Sequence, residues 1–265
     1  MTRTFRLIGV AALLCGLSLS AARGDVAIPG VPFYPWYYGC GPTAGGMIIG
    51  YWDANGYGNL VPGSNDWATN QTAIETMIAS AEHIADYWGT DADPPLHTDN
   101  SVADFMHTSR DPFADGDSPF SRQDDGLVGY SVYSGYVWAT AANTTYIEND
   151  LWDDGTYWND LCAEIDANRP VELYVDKNAD GTPDHFVAVY GYDDATGQCI
   201  GFDPSDATGE KRFDFTPVAP GQAYGVRGST FFAPTPEPAT LALLGVGAAV
   251  AGLSRYFRRR GVRQD

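Results

Sequence analysis

Hydrophobic residues in the first half of the chain recur at the spacing of helices. The pattern predicts one helix from Pro42 to about Asp53, one within residues 66–88 and one in residues 101–109. Proline suits the start of the first, because its missing N–H needs no partner there. The apolar residues that share one face of the second helix are Ile74, Ile78 and Ala81. The third has an N-cap candidate in Asn100 or Ser101.

The second half of the chain alternates short apolar runs with turn residues, which is typical of strands. Tyrosine and valine in residues 126–138 predict a strand, and the spacing around residues 158–168 predicts a helix. Three further strands are predicted in residues 169–176, 185–193 and 198–205. Helices first and an antiparallel sheet afterwards indicate an α+β domain.

The N-terminus has the pattern of a secretory signal peptide. Two arginines precede an apolar run, and small residues end it before Arg23, so residues 1–22 are predicted to be removed after Ala22. The apolar run is shorter than the ~20 residues that a membrane-spanning helix needs. The first 22 residues are therefore not part of the predicted domain, which extends over residues 25–235.

The C-terminus combines three features in a fixed order. Pro236-Glu237-Pro238 precedes an apolar stretch from Ala239 to Leu253. An arginine cluster follows, formed by Arg255, Arg258, Arg259 and Arg260. The apolar stretch and the arginines predict a short membrane anchor with its positive end in the cytoplasm.

This order, in residues 236–260, resembles the PEP-CTERM sorting tail. The resemblance implies export, transient anchoring in the inner membrane through the tail, and processing by exosortase-type sorting machinery. It implies a final location in the cell envelope or outside the cell.

The charge balance excludes one class of partner. Residues 1–22 and 239–265 contain seven of the 15 basic residues and one of the 34 acidic ones, which leaves 8 basic and 33 acidic residues between them. A surface with this excess of negative charge repels nucleic acid and anionic membranes. This negative charge suits a soluble extracytoplasmic protein. Two explanations of the charge stay open, simple solubility and the binding of divalent cations.

Without the leader, the chain has three cysteines, so in an oxidising compartment at least one is unpaired within the chain. Cys162 recurs with apolar residues at helical spacing, and Cys199 lies in a short predicted strand. Those two are interpreted as core residues that either bridge or stay as buried thiols. Cys40 differs from both, because it lies between two glycines at the start of a predicted helix.

Cys40, His185 and Asp203 have the residue types and the order of a catalytic triad. His185 follows Cys40 by 145 residues, and Asp203 follows His185 by 18 residues. A helix N-terminus stabilises a thiolate, an imidazole transfers the thiol proton, and a carboxylate fixes the imidazole tautomer. The other histidines, His83, His97 and His107, are interpreted as surface or packing residues.

The stretches GCGPTAGGMIIGYWD, DHFVAVYGYD and GFDPS resemble papain-like cysteine peptidases of the bacteriocin-leader-processing, double-glycine peptidase-like type. The resemblance covers residues 33–53 and 165–206. It implies a papain-like fold with an N-terminal helical part packed on an antiparallel sheet. It also implies hydrolysis of peptide bonds by Cys40, His185 and Asp203, with a peptide or protein substrate and no cofactor for the chemistry.

One position departs from the pattern of these peptidases. They usually carry a glutamine about six residues before the cysteine, which completes the oxyanion hole, whereas Tyr34 stands there in this chain. Loss of one oxyanion donor costs ~100- to 1000-fold in rate. The hydroxyl of Tyr34, Tyr37 or Tyr38 is the predicted substitute, beside the backbone N–H of Cys40.

The segment directly before His185 resembles a calcium-binding loop. Asp176, Asn178, Asp180 and Asp184 occupy its first, third, fifth and ninth positions, with glycine at the sixth. The twelfth position is a valine, so the usual bidentate glutamate is missing. Binding of Ca²⁺ by these four residues is one prediction, and an acidic turn between two strands is the other.

Three functions remain open from the sequence. The leading one is an exported thiol peptidase. A cell-wall amidase or transpeptidase would use the same three residues and the same acyl-thioenzyme step. A catalytically inactive, calcium-binding surface module would keep the fold and need Cys40 only as a packed residue.

Overall fold

The computed structural model describes residues 24–87, 96–136, 143–146, 155–206 and 208–234, with the backbone alone for residues 143–146. The predicted signal peptide and the predicted membrane anchor lie outside the described residues. Of the helices in the described part, none combines the length and the apolar character needed to cross a membrane.

The described residues contain six α-helices. They are α1 (Cys40–Ala54), α2 (Trp67–Ile78), α3 (Ala81–Asp86), α4 (Val102–Phe105), α5 (Gln123–Tyr133) and α6 (Thr156–Asp166). The helix predicted within residues 66–88 is divided into α2 and α3, because Ala79 and Ser80 have extended backbones. Ser80 then caps α3 by accepting a hydrogen bond from the N–H of His83 (3.0 Å).

The strand predicted in residues 126–138 is wrong, since most of that segment is α5. The buried residues of α5 recur at helical spacing: Gln123, Gly126, Leu127, Tyr130 and Ser131. The valines and tyrosines between them favour strands by propensity, but packing of this buried face against α1 and α4 decides the conformation.

Seven strands of the described residues form one antiparallel sheet. They are β1 (Val26–Ala27), β2 (Asn143–Tyr146), β3 (Val171–Asp176), β4 (His185–Asp193), β5 (Gln198–Phe202), β6 (Glu210–Asp214) and β7 (Gly225–Phe231). Their order is β2-β7-β3-β4-β5-β6, and β1 pairs with the far end of β4. The sequence did not indicate β6 and β7, because one is mostly charged and the other contains two glycines.

The sheet separates two apolar clusters. On one face, α1 packs on β4 through a cluster that includes Ala44, Met47, Phe186 and Ala188. On the other face, Leu161 and Ile165 of α6 join a cluster with the alternate residues of β3 and β4. The predicted α+β arrangement of an N-terminal helical part packed on an antiparallel sheet is therefore confirmed.

A buried hydrogen-bonded pair of side chains joins two helices of the helical part. His83 of α3 and Asp104 of α4 have no exposed surface, and His83 Nδ1 lies 2.7 Å from Asp104 Oδ1. Asp104 Oδ2 also accepts hydrogen bonds from the N–H of Ser101 (3.0 Å) and of Asn100 (3.1 Å). Burial acts to raise the pKa of Asp104, but these hydrogen bonds outweigh it and hold the pKa at about 2.

This pair predicts a specific loss of stability in acid. The folded pKa of Asp104 lies below its ordinary value of 3.8, so the stabilisation is complete above that pH and is lost as pH falls through about 2. Between those values we expect the free energy of unfolding to fall by about 2 kcal/mol through this group. The Asp104→Asn variant should be less stable than the wild type at neutral pH. Its free energy of unfolding should not show this fall of about 2 kcal/mol in acid.

Denaturant unfolding at pH 4 and pH 2 measures the difference. Asp160→Asn, which changes an exposed carboxylate on α6, is the matched control. The same acid loss in the wild type and in Asp104→Asn would contradict the assignment to this pair.

Candidate active site

Cys40 is the first residue of α1, and the backbone before it fits glycine alone. Gly39 has a φ of 145°, and a Cβ there would lie 2.8 Å from the Pro42 side chain and 3.0 Å from the carbonyl of Gly116. Thr43 fixes this turn, because its Oγ1 donates to the carbonyl of Gly39 (2.6 Å) and accepts from the N–H of Tyr37 (3.0 Å). The turn and the helix together hold Cys40 at the N-terminal end of α1.

The thiol of Cys40 is nine-tenths buried, with 9% of the residue exposed. Burial raises its pKa to about 12. The N–H groups of Phe186 and Gly41, which hydrogen-bond the sulfur, act in the opposite direction, and the carboxylates of Glu172 and Asp117 add to the rise. In this environment the thiol is protonated at neutral pH, so an attack on a carbonyl requires a base that takes its proton.

His185 and Asp203 meet at an open part of the edge of β4. β5 pairs with β4 only from Ala188 onwards, so the first three residues of β4 are not covered by it. Asp203 follows β5 directly and reaches His185 there, with Asp203 Oδ1 2.7 Å from His185 Nε2. Because the N–H of Phe186 points at the sulfur of Cys40, the thiol lies one residue along the strand from His185.

The carboxylate of Asp203 is fully buried and accepts several hydrogen bonds. Tyr224 Oη and Lys177 Nζ each lie 2.7 Å from Oδ2, and the N–H of Ser205 donates to Oδ1 (2.9 Å). Burial acts to raise the pKa of Asp203, but the hydrogen bonds from His185, Lys177 and Tyr224 hold it far below its usual range. Asp203 therefore stays ionised, and it favours the His185 tautomer with the proton on Nε2 and a lone pair on Nδ1.

The sequence did not indicate the groups that hold Asp203. Lys177 lies inside the predicted calcium loop, where it counted only as a spacer. Ser205 follows Asp203 in an Asp-Pro-Ser turn, and its Oγ donates to Asp203 Oδ1 (2.8 Å), an arrangement that the turn residues could have suggested. Tyr224 carries no local signal, since its contact with Asp203 depends on how the segment between β6 and β7 folds back.

The three tyrosines predicted near the oxyanion lie in different places. Tyr34 has no exposed surface, donates to the carbonyl of Asn65 (2.8 Å) and packs against Gly50. Gly50 is ten residues after Cys40, about 15 Å along α1, so the structure does not bring Tyr34 to the thiol. Tyr37 and Tyr38 remain close in sequence to Cys40 and contact each other edge to face (4.8 Å). Their part in oxyanion binding stays a prediction.

Two other polar side chains lie beside the first turn of α1. The position of a Cβ on Gly41 is 2.9 Å from Gln123 Oε1 and 3.1 Å from Ser118 Oγ. Ser118 Oγ shares a hydrogen bond with Thr108 Oγ1 (2.7 Å). Residues 54–150, to which the sequence gave no role, therefore supply polar groups next to the helix start that holds Cys40.

The predicted calcium loop closes on itself through hydrogen bonds. Asp176 accepts from the N–H of Ala179 (2.8 Å) and of Gly181 (2.7 Å). Asp184 accepts from the side-chain amide of Asn178 (2.8 Å). Asp180 accepts from the N–H of Thr182 (2.7 Å). In the described part of the chain, no group of three or more histidine, cysteine or acidic residues is arranged to hold a metal ion. Calcium binding by the loop stays a prediction.

Calcium binding predicts a higher melting temperature in calcium than in chelator, since an ion that binds only the folded protein stabilises it. Thermal unfolding followed by circular dichroism measures this difference. Asp180→Asn should reduce it, because one of the four carboxylate or amide ligands then loses its charge. Equal melting temperatures in calcium and in chelator would leave the acidic turn as the explanation of the motif.

All three cysteines of the described residues, Cys40, Cys162 and Cys199, are free thiols. Burial raises the pKa of Cys162 to about 12 and that of Cys199 well above its ordinary value. Cys162 and Cys199 therefore form no bridge in this structure, and of the two only Cys199 is fully buried. Neither has a histidine among its described hydrogen-bond partners, and this distinguishes both from Cys40, whose sulfur contacts the strand that carries His185.

The site thus combines a cysteine at a helix N-terminus with a strand that begins at a histidine paired to a carboxylate, in an α+β protein. Residues 28–224, most of the chain, match the Peptidase_C39 like family. The protein belongs to that family.

Residues 234–260 match the PEP-CTERM protein-sorting motif. This motif indicates an exported, envelope-associated protein that exosortase-type machinery sorts.

Two further comparisons, with solved structures and with curated proteins, are less informative about this chain. A crystal structure of a C39-like peptidase from Bacillus anthracis is similar to this chain, with 12% identity and a TM-score of 0.40. The similarity covers 81% of this chain and 100% of the other. No curated protein matches the sequence.

Proposed function

We propose that the protein is an exported thiol peptidase that hydrolyses peptide bonds with Cys40, His185 and Asp203. The observation that carries the proposal is the His185–Asp203 pair (2.7 Å) at the open edge of β4, where the N–H of the next residue contacts the Cys40 sulfur. Membership of the Peptidase_C39 like family supports a peptide or protein substrate.

The reaction begins with transfer of the thiol proton from Cys40 to Nδ1 of His185. The sulfur attacks the substrate carbonyl carbon, and the C=O electron pair moves to oxygen. The N–H groups at the start of α1 and the partial positive charge of the helix end stabilise this oxyanion. The C–N bond then breaks as His185 delivers its proton to the leaving amine, and a thioester remains.

Water completes the cycle by the same two proton transfers. His185 takes a proton from water, the hydroxide adds to the thioester carbonyl, and the C–S bond breaks to regenerate the Cys40 thiol. Asp203 stays ionised throughout and stabilises the charged imidazole. These steps need no cofactor.

The burial of the thiol determines when its proton is transferred in this mechanism. With a pKa raised to about 12, Cys40 does not rest as a thiolate, so the proton moves to His185 as the sulfur attacks. A thiol that rests protonated and loses its proton to a histidine during the attack behaves like a serine hydroxyl and its histidine base.

One observation favours a second candidate, a surface module of the same fold without catalysis. The same burial that raises the pKa of Cys40 also restricts access to its sulfur. In such a module the thiol would serve only as a packed residue at the start of α1.

Cleavage of a peptide mixture by the purified protein distinguishes the candidates. Mass spectrometry of the products should show new peptide termini, and a Cys40→Ala sample should show none. Products with new carboxyl and amino termini in the wild type alone support the peptidase. Transfer products without hydrolysis would identify a transpeptidase, and no products in either sample would favour the module.

A further inference from the structure

The thiol of Cys40 opens into a cavity of about 220 Å³. The residues that line it besides Cys40 are Phe113, Asp117, Ser118, Tyr174, Pro183, Asp184 and Phe186. They come from the segment between α4 and α5, from β3, and from the turn that leads into β4. The cavity is therefore built by three separate parts of the chain around the nine-tenths buried thiol and the equally buried Ser118.

Aromatic rings form part of the wall of this cavity. Tyr174 and Phe186 stack with ring centroids 4.7 Å apart, and the hydroxyl of Tyr174 donates to the carbonyl of Pro183 (2.8 Å). Phe113 belongs to the segment between α4 and α5 and lines the cavity with them. Aromatic faces of this kind bind aliphatic chains and attract cations.

The rim of the cavity is negatively charged. Asp117 and Asp184 are exposed and come from different elements. Burial raises the pKa of Asp117, and the neighbouring carboxylates of Asp115 and Asp184 add to the rise, so the charges of the three groups act on the same space. Asp184 is held in place because its Oδ1 accepts from the N–H of Lys177 (2.8 Å).

The basic side chains closest in sequence to the rim are engaged with other carboxylates. Arg110 Nη2 lies 2.7 Å from Asp99 Oδ1 and Arg122 Nη1 lies 2.6 Å from Asp125 Oδ2. Lys177 Nζ lies 2.7 Å from Asp203 Oδ2. These three side chains therefore pair with carboxylates other than Asp117 and Asp184.

From the cavity, the aromatic rings in its wall and its anionic rim, we propose that this site binds the side chain of lysine or arginine in a peptide, next to the bond that Cys40 attacks. The aliphatic stem lies along Tyr174 and Phe186, and the cationic head lies between Asp117 and Asp184. The part of this inference that concerns cleavage rests on the proposed peptidase function. The preference of the cavity for a cation does not.

Thiol labelling tests the charge preference without any substrate. Methanethiosulfonate reagents of similar size carry a positive, a negative or no charge, and each forms a disulfide with the thiolate while methanesulfinate leaves. The ratio of two rates at Cys40 cancels the ionisation of the thiol. At low ionic strength we expect the cationic reagent to label Cys40 faster than the anionic one by on the order of tenfold or more, and the ratio to fall in high salt.

The double variant Asp117→Asn, Asp184→Asn should reduce this ratio severalfold. The double variant Asp160→Asn, Asp194→Asn removes the same charge from exposed residues on the side of α6 and controls for the net charge of the protein. Mass spectrometry of the peptide that contains Cys40 gives the rates. Equal ratios in the two double variants, or a wild-type ratio near one, overturn the proposal.

A second readout separates this inference from the peptidase assignment. If the protein cleaves peptides, those with lysine or arginine at the cavity should have a higher kcat/KM than those with norleucine, and Asp117→Asn, Asp184→Asn should remove the difference. Equal kcat/KM values for the two peptides overturn the substrate class. A protein that cleaves nothing but keeps the charge preference at Cys40 retains the cation site, and only the peptidase proposal fails.

Discussion

Replacing Cys40 with alanine should abolish the proposed cleavage of peptides, with an expected fall in kcat of at least ~10⁴-fold. The reason is that the sulfur forms the covalent bond to the substrate, and the structure offers no other nucleophile in the cavity with a neighbouring histidine among the described residues. The melting temperature should change little, because α1 begins with the same backbone. Steady-state kinetics and thermal unfolding together measure both expectations.

The chain offers a matched control for this variant. Cys162 is also a free thiol with a pKa raised to about 12, but it lies on α6, on the other face of the sheet. Cys162→Ala should leave kcat unchanged. Retention of substantial activity in Cys40→Ala, or an equal loss in both variants, would contradict the role of Cys40.

Replacing Asp203 with asparagine should reduce the kcat of the proposed peptidase by ~10³- to 10⁴-fold, with a smaller effect on KM. An asparagine amide can donate to Nε2 of His185, which favours the tautomer with its proton on Nδ1, so the nitrogen that must accept the thiol proton is already occupied. The loss of the carboxylate also leaves Lys177 without the partner that lies 2.7 Å away.

Asp206→Asn is the control for Asp203→Asn. Asp206 lies three residues further on in the same loop and pairs with Lys211 (2.7 Å), away from His185. We expect unchanged kcat in this variant. If Asp203→Asn changed KM alone and left kcat intact, Asp203 would not position the base.

The three residues of the proposed triad could be identified in the sequence because each lies in a segment with a strong local pattern. Cys40 precedes a proline at a helix start, and His185 and Asp203 border apolar strands. Local patterns do not specify how distant segments meet. The hydrogen bond from Tyr224 to Asp203 (2.7 Å) joins residues from different turns, so it could not be inferred from spacing.

In the segment between Ala54 and Tyr146, by contrast, the local sequence pattern was a poor guide to the structure. Its valines and tyrosines suggested a strand, whereas α5 is set by contacts with α1 and α4. Its loops then supply Phe113, Asp117 and Ser118 to the cavity. A polar loop residue has no apolar period of its own, and its place in a site becomes visible only when the fold positions it.

The assignment of Tyr34 as a substitute oxyanion donor illustrates the same limit. Its distance from Cys40 along the chain suggested proximity, but the chain before α1 runs back along the helix and buries Tyr34 against Gly50. Ser118 and Gln123, from a segment far away in sequence, lie beside the first turn instead.

The proposed peptidase function requires that His185 take the proton of the Cys40 thiol. Alkylation of Cys40 by iodoacetamide between pH 5 and 9, read by mass spectrometry in the wild type and in His185→Ala, tests it most directly. Burial raises the pKa of the thiol to about 12, so without a base that takes its proton the thiol should react slowly over this range. We expect the wild type to react at least ~10-fold faster at pH 7, since His185 takes the proton as the sulfur attacks. Superimposable rate–pH profiles for the two proteins would contradict the account.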